Sequence, residues 1–516
     1  MAKQPLLTFE ENKHWQNYHR TSLVGGTVDR FFTPRNVWAD GSRDPKAFLP
    51  GLRALQEIVC RAEAGRRRVR AVGSGWSLSN AAFSEEYLVN TCRLNYWFVG
   101  FNDPEMVAPE WRTKRDRLVF AQCGVQIKTL NGHLQGRRLS LMTSGASNGQ
   151  TIVGAMSTGT HGSARDVGSM QDFVLGLHIV GEGGKHYFIQ RKSRPVVTDA
   201  FAEWLDCAKL VLDDDVFLAA VVSFGSFGLI HGVLFEVEPI YLLERHVRRY
   251  DYLQVVHAAQ TLDLAGLELP HPGEAPFHFE IVINPYRLLA GEKGAFVRVL
   301  YKRPAGAELP PAHFSETRLQ NSEDLVSIAG FFADVAPSVI PDFLQSELDD
   351  ALEVTPTGGV IGTHGQQFGD SYPTGGGAST EIGVPLARVG DALRVVLESA
   401  QEAPFGAPLA LRYVKSSEAF LAFTCFSPVT CAFEMPGVDA ARTRDGHRRI
   451  WQALSDERVP HTFHWGQALP QNAEWPLAGF PDERVSQWLA ARRRFLGPSG
   501  RSMFQNALLS RCGLAG

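Results

Sequence analysis

The sequence predicts an α+β protein of two domains with a C-terminal segment that returns to the first. Three observations lead there. At 516 residues the chain exceeds what one hydrophobic core usually holds. Apolar stretches with strand character alternate with stretches of helical spacing along most of its length. After Glu244 the texture changes, and Pro- and Gly-rich connectors begin to separate the elements. The predicted divisions are 25–243, 244–450 and 451–516.

Composition narrows the class. The chain carries 51 basic and 55 acidic residues, a net −4, which provides no footprint for nucleic acid and no polybasic patch for a membrane. Its 49 glycines and 29 prolines are scattered among apolar segments, as in a loop-rich enzyme. Seven cysteines without a C-x-x-C pair argue against a disulfide framework or a zinc site. No apolar run is long enough to span a bilayer, and MAKQPLLTFEENKHW lacks the apolar core of a signal peptide. A cytoplasmic protein acting on a small molecule is expected.

The elements follow in order. KAFLPGLRALQEIVCRAEA (46–64) places Leu49, Leu52, Leu55 and Val59 at helical spacing after Asp44-Pro45. A strand over Val69–Val72 ends in Gly73-Ser74-Gly75 and then Trp76. Residues 117–135 predict a strand, a turn and a short helix, and 172–191 a hairpin. Residues 216–243 predict a helix, a Gly-Ser-Phe-Gly turn and a strand. In the second domain, 277–286 and 296–304 read as strands and 386–400 as a helix. Residues 480–506 read as an amphipathic helix ended by Gly-Pro and followed by an arm.

Two glycine-rich stretches carry the chemistry. Gly-Ser-Gly after a strand is a common tight turn, and Leu78 stands where a Rossmann fingerprint needs its third glycine. The second stretch, 141–164, sets Gly145, Gly149, Gly154, Gly159 and Gly162 among Ser144, Thr158 and Thr160. Backbone donors and hydroxyls without bulk suit a pyrophosphate, and two such stretches suggest a large cofactor held from two sides.

Several motifs in order resemble the vanillyl-alcohol oxidase type of flavoprotein, in its aldonolactone and alditol oxidase branch. They are VRAVGSGWS (69–77), TSGASNGQTIVGAMSTGTHGS (143–163), FLAAVVSFGSFGLIHGVLFEVEP (217–239), EIGVPLARVGDALRVV (381–396), LRYV (411–414), HWGQ (464–467) and RRRFLGPSGRSMFQN (492–506). The resemblance implies a two-part PCMH-type FAD-binding domain and an α+β cap domain with an antiparallel sheet. It also implies hydride transfer to the flavin. The FAD contacts it implies are Val72, Gly73, Ser74, Gly75, Trp76 and Ser77 in the first loop. In the second they are Ser144, Gly145, Ala146, Thr151, Gly154, Thr158, Gly159, Thr160 and His161, joined by Ile230 and His464.

The chain departs from that pattern at four places. Trp76 replaces the histidine that carries the covalent flavin bond, and an indole nitrogen forms no such bond, so FAD is expected to be held non-covalently, with Trp76 packing on the ring edge. Ala410 stands where a Glu-x-Arg pair has its carboxylate, and Arg412 remains. Gln467 replaces a lysine near the flavin, and Ala146 a serine. Losing polar groups argues against a sugar-lactone substrate. Arg412, His464 and Gln467 are the catalytic candidates. For Arg412 a salt bridge to a cap-domain carboxylate is the alternative; for His464, a structural role. Glu381 and His161 read as structural, and Tyr413 and His461 as weaker proton-transfer candidates. Gly145 falls at the family's oxygen gatekeeper position, which favours an oxidase using O2. A dehydrogenase serving a quinone or protein carrier, and a flavin binder without catalysis, are the competing readings.

Overall fold

The computed structural model describes residues 3–310, 337–355, 358–368, 376–470 and 475–516. Four sheets organise them. The first has strands β1 (Pro5–Gln16), β2 (Gly25–Trp38), β3 (Val69–Val72) and β4 (Tyr87–Asn90) in the order β1-β2-β4-β3. Its first strand precedes residue 25 and pairs antiparallel with β2, while β2, β4 and β3 are parallel. The crossover helix Leu49–Ala64 buries Leu52, Leu55, Ile58 and Val59. It starts three residues later than the sequence pattern, because Pro50 suits the first helical turn, where no N–H is needed.

The second sheet adds β5 (Trp97–Val99) and β6 (Leu118–Gln122). A two-residue strand β7 (Leu139–Ser140) follows before β8 (Val174–Val180), β9 (His186–Gln190), β10 (Lys209–Leu212) and β11 (Leu229–Glu236). Its order is β10-β9-β8-β11-β6-β5, and β7 pairs separately with β12 (Glu238–Pro239).

An eight-stranded antiparallel sheet makes the second half. It comprises β13 (Tyr241–Tyr250), β14 (His278–Ile283), β15 (Ala295–Pro304), β16 (Val360–Thr363), β17 (Gly377–Pro385), β18 (Leu409–Lys415), β19 (Val429–Val438) and β20 (Thr462–Phe463). Its order is β16-β13-β15-β14-β18-β19-β17-β20. Side chains alternate across it with period two. Leu409, Leu411 and Tyr413 join the large core beneath helices Tyr252–Thr261, Val389–Glu402 and Ala441–Asp456. Ala410 belongs to a smaller apolar cluster with Val282, Phe296, Leu344 and Leu348, the last two from helix Ile340–Ala351. That second face is where the site forms.

The C-terminal helix Asp482–Phe495 and two short helices after it return to the first half. Glu182 caps the first of the two, accepting from the Gly497 and Gly500 amides. No helix among the described residues is long and apolar enough to cross a membrane.

Candidate active site and cofactor cleft

One cavity of about 950 Å³ lies between the two halves, at the upper end of small-molecule sites. The two glycine stretches border it together with β11, β18, β19, helix Ile340–Ala351 and the segment His464–Gln467. Locally, β3 gives way to a loop in which Gly75 has φ +71°. Thr151 caps helix Ile152–Thr158 through the Gly154 amide (3.3 Å), and Gly159 (φ +89°) ends it.

The glycines turn out to join the loops to each other. A Cβ on Gly73 would stand 2.2 Å from Thr151 Oγ1, and one on Gly149 2.2 Å from Trp76 Cζ2. Trp76 itself stacks on Tyr18 at 4.8 Å and 5°, with His19 at its edge. Its ring thus has partners in the protein as well as a place on the cavity wall. Loop one is also tied to the C-terminal segment by Leu78 N–H to Gly466 O (2.7 Å) and Ser79 Oγ to Trp465 O (2.5 Å).

At the sheet end of the cavity the register assembles a charged row. Arg298, Glu280 and Arg412 are direct cross-strand neighbours on β15, β14 and β18. Two residues along, Ala410, Glu434 and Glu381 are neighbours on β18, β19 and β17. Arg412 donates from Nε to Glu280 (2.7 Å) and from Nη1 to Glu434, with Glu381 at 3.7 Å. Arg298 binds the other Glu280 oxygen. Burial works against Glu280 as an anion, but the two guanidiniums outweigh it and hold the carboxyl well below its usual range. Arg412 is likewise pushed up by Glu434 and Glu280 despite burial.

Two histidines complete the group. His161 donates from Nε2 to Glu381 (3.0 Å) and from Nδ1 to the Gly162 carbonyl (2.7 Å), which requires the doubly protonated ring. Burial alone would lower its pKa, yet Glu381 leaves it raised. Glu381 sits at about 2: burial opposes this, and the His161 charge overcomes it. His464 is lowered to about 4 by burial, so it is neutral at pH 7, and its Nδ1 accepts from Gly466 N–H (3.0 Å). The ring proton therefore lies on Nε2, and His464 is a donor. His161, Glu381 and His464 have ligand atoms mutually within 4.8 Å, the spacing of a metal site, as do Glu244, His246 and His271. In both groups the carboxylate is already engaged, by His161 in one and by Arg303 and both histidines in the other.

Most of the residues singled out in the sequence border the cavity: Val72 to Ser77, Gly145, Ala146, Thr151, Gly154, Thr158, Thr160, His161, Ile230, Arg412, His464 and Gln467. Four of the others do not border it. Ser144 is fully buried with Oγ donating to the Gly145 carbonyl, and Gly159 faces Phe423; neither borders the cavity. Tyr413 donates to Ala259 O (2.7 Å) on the helical side, and His461 holds Val459 O (2.8 Å), so both lie outside it. For Arg412 the alternative forms: carboxylates of the second half pair with it across the strands, Glu434 and Glu280. Gly145 borders the cavity, and a Cβ there would meet Thr160 Cγ2 at 2.8 Å.

Residues 52–189 match the family model for the FAD binding domain. This chain carries an FAD-binding domain. Its residues fit the cofactor on the structure's own terms. Buried polar atoms without partners, Gln150 Oε1 and Gln467 Oε1, belong to residues bordering the cavity, and a Cβ on Gly225 would meet nothing within 4 Å.

Among similar proteins is a putative D-arabinono-1,4-lactone oxidase of Neurospora crassa, 29% identical over 189 residues (37% of this chain, 28% of that one). Another is an L-gulono-1,4-lactone dehydrogenase of Mycobacterium tuberculosis, 26% identical over 232 residues (45% and 44%). The chain thus aligns with less than half the length of these relatives. Cholesterol oxidase from B. sterolicum aligns over 99% of this chain and all of its own, with TM-score 0.69 and 13% identity. A solvent-stable cholesterol oxidase aligns over 98% of each chain at 14% identity and TM-score 0.69. The α+β architecture read from the sequence, an FAD-binding domain with an antiparallel-sheet cap, is the fold of these flavoproteins.

Proposed function

We propose that the protein is an FAD-dependent oxidoreductase that removes hydride from a carbon bearing a hydroxyl (or amine) in a largely apolar small molecule. FAD, held non-covalently between the two loops, supplies the hydride acceptor. The observation that carries the reading is the Arg412–Glu434 pair at the end of the FAD cleft. Among the described residues Glu434 Oε1 has only long contacts, from Gln467 Nε2 (3.3 Å) and Ser379 Oγ (3.4 Å), whereas its other oxygen is held by Arg412. Oε1 is placed to accept the substrate's hydroxyl proton while Arg412 fixes the carboxylate's orientation. Gln467 Oε1, unpartnered, adds a second acceptor. Glu381, paired with the protonated His161, also lies 3.7 Å from Arg412.

The substrate class follows from the wall. Helix Ile340–Ala351 contributes Ile340, Phe343, Leu344 and Leu348, the sheet adds Pro436 and Val438, and Pro408 lies just before β18. A surface of this kind favours an apolar body with one polar handle over a polyol. Anaerobic mixing with apolar alcohols, aldonolactones and alditols tests it: bleaching of the flavin by the first group supports the reading, and fast reduction by the sugars alone overturns it.

O2 is the acceptor in the first reading. The Thr160 methyl beside Gly145 favours the second, a dehydrogenase serving a quinone or protein carrier, since that glycine is set by packing. Reoxidation by air faster than turnover with a dye supports the oxidase; slower reoxidation supports the dehydrogenase. Flavin that no compound reduces would indicate a binder without catalysis.

A further inference from the structure

Two arginines lie in the interior of the FAD-binding half without a carboxylate partner among the described residues. Arg70, on β3, is 1% exposed and donates only to carbonyls: Phe504 O (2.8 Å), Ala81 O (2.6 Å) and Phe224 O. Arg492 is fully buried and donates to the carbonyls of Ser226, Ala515 and Arg501. The charges acting on them are cationic, Arg492 on Arg70 and Arg501 on Arg492. Burying such cations is costly unless something anionic balances them.

The Arg70 acceptors show where the balance lies. In a trans peptide the N–H points opposite to the C=O. Holding the Ala81 and Phe224 carbonyls inward therefore turns the Ala82 and Gly225 amides the other way. Both residues border the FAD cavity, and neither amide has a partner within the described chain. Phe224 is held at φ +56°, a conformation that residues with side chains avoid, and Gly225 follows at φ +80°. Backbone amides from two loops turned into one concavity can receive an anion as those of a single nest do. We propose that Arg70 is a positioning residue for the cofactor's diphosphate, fixing the Ala82 and Gly225 N–H groups as its donors and supplying, with Arg492, the counter-charge. The inference rests on the FAD-binding domain and is independent of what the enzyme oxidises.

Full-length protein depleted of flavin is titrated with FAD and with riboflavin, which lacks the phosphates. Arg70→Met weakens FAD binding, and with it the ratio of FAD to riboflavin affinity, about tenfold to a hundredfold, the range for losing charge-assisted hydrogen bonds. Riboflavin affinity stays within about twofold. Arg70→Lys, which keeps the charge but not the fork of donors, falls between and is scored by the same ratio if the methionine variant does not fold. An equal loss for FAD and riboflavin, or an unchanged FAD affinity beside a lower melting temperature, overturns the proposal.

Discussion

Glu280→Gln isolates the charged row that builds the site. Its carboxylate is 2% exposed and joins Arg298 on one oxygen to Arg412 on the other. Glutamine keeps the shape, and its carbonyl can still accept from Arg412 Nε. Its amide, however, would face the Arg298 donors. Arg412 retains Glu434 and Glu381, whereas Arg298 has no second ion pair among the described residues. Removing one partner of a buried pair costs about 3–5 kcal/mol. Arg298 is 19% exposed and recovers some hydration, which puts the loss near the lower end, about 3 kcal/mol. A cooperative unit of 150–250 residues loses about 2–4 °C per kcal/mol, so melting should fall by about 6–12 °C. Adding Arg298→Met removes the stranded cation and should recover part of that loss, since an apolar replacement of a buried pair is often neutral. Calorimetry of the two variants decides. A double variant that melts lower than Glu280→Gln, or a single variant within about 1 °C of the parent, would refute the argument that Arg298 depends on Glu280.

Three further outcomes are expected. Acid precipitation should leave the yellow flavin in the supernatant, because Trp76 provides no nucleophile for a tether; flavin in the pellet contradicts this. Glu434→Gln should slow flavin reduction by about 10²–10⁴, the contribution of a positioned base, with Arg412 still paired to Glu280; rapid-mixing absorbance reads it. Burial lowers His19, His278, His447 and His464 from 6.5 to about 4. A depressed folded pKa means that this contribution to stability is complete above pH 6.5 and is lost as pH falls through 4, because the unfolded chain takes up protons first. Stability should therefore drop steeply between pH 6.5 and 4, and His447→Gln should flatten the slope. An unchanged slope would remove burial as the cause.

Much of the local architecture was legible in the residues. The strand, turn and helix order at 117–135, the hairpin at 172–191 and the loop of VRAVGSGWS rest on near-neighbour patterns. So did most of the cavity wall, since Val72 to Ser77 and Thr151 to His161 lie next to each other in the chain. The partners of Arg412 were not legible. Ala410 suggested a lost carboxylate, yet Glu280 is 132 positions from Arg412 and Glu434 is 22, and β-sheet register alone makes them neighbours. An acidic residue in an otherwise apolar strand, as in His278–Ile283, was the available signal.

By itself the sequence determined the chemistry on offer: two small-residue loops able to hold FAD, no side chain at position 76 able to tether it, and an arginine kept where its usual carboxylate is gone. Tertiary structure decided what those groups do. It set Gly73 against Thr151, Gly149 against Trp76 and Gly145 against Thr160, and turned His464 into a donor. It also surrounded Arg412 with three carboxylates and left Arg70 with carbonyls alone. The physical reason is range. Backbone preference and periodicity act over a few residues and are written in order along the chain. Charge neutralisation and close packing depend on distances of a few ångströms in space, which strand pairing and domain contact alone establish.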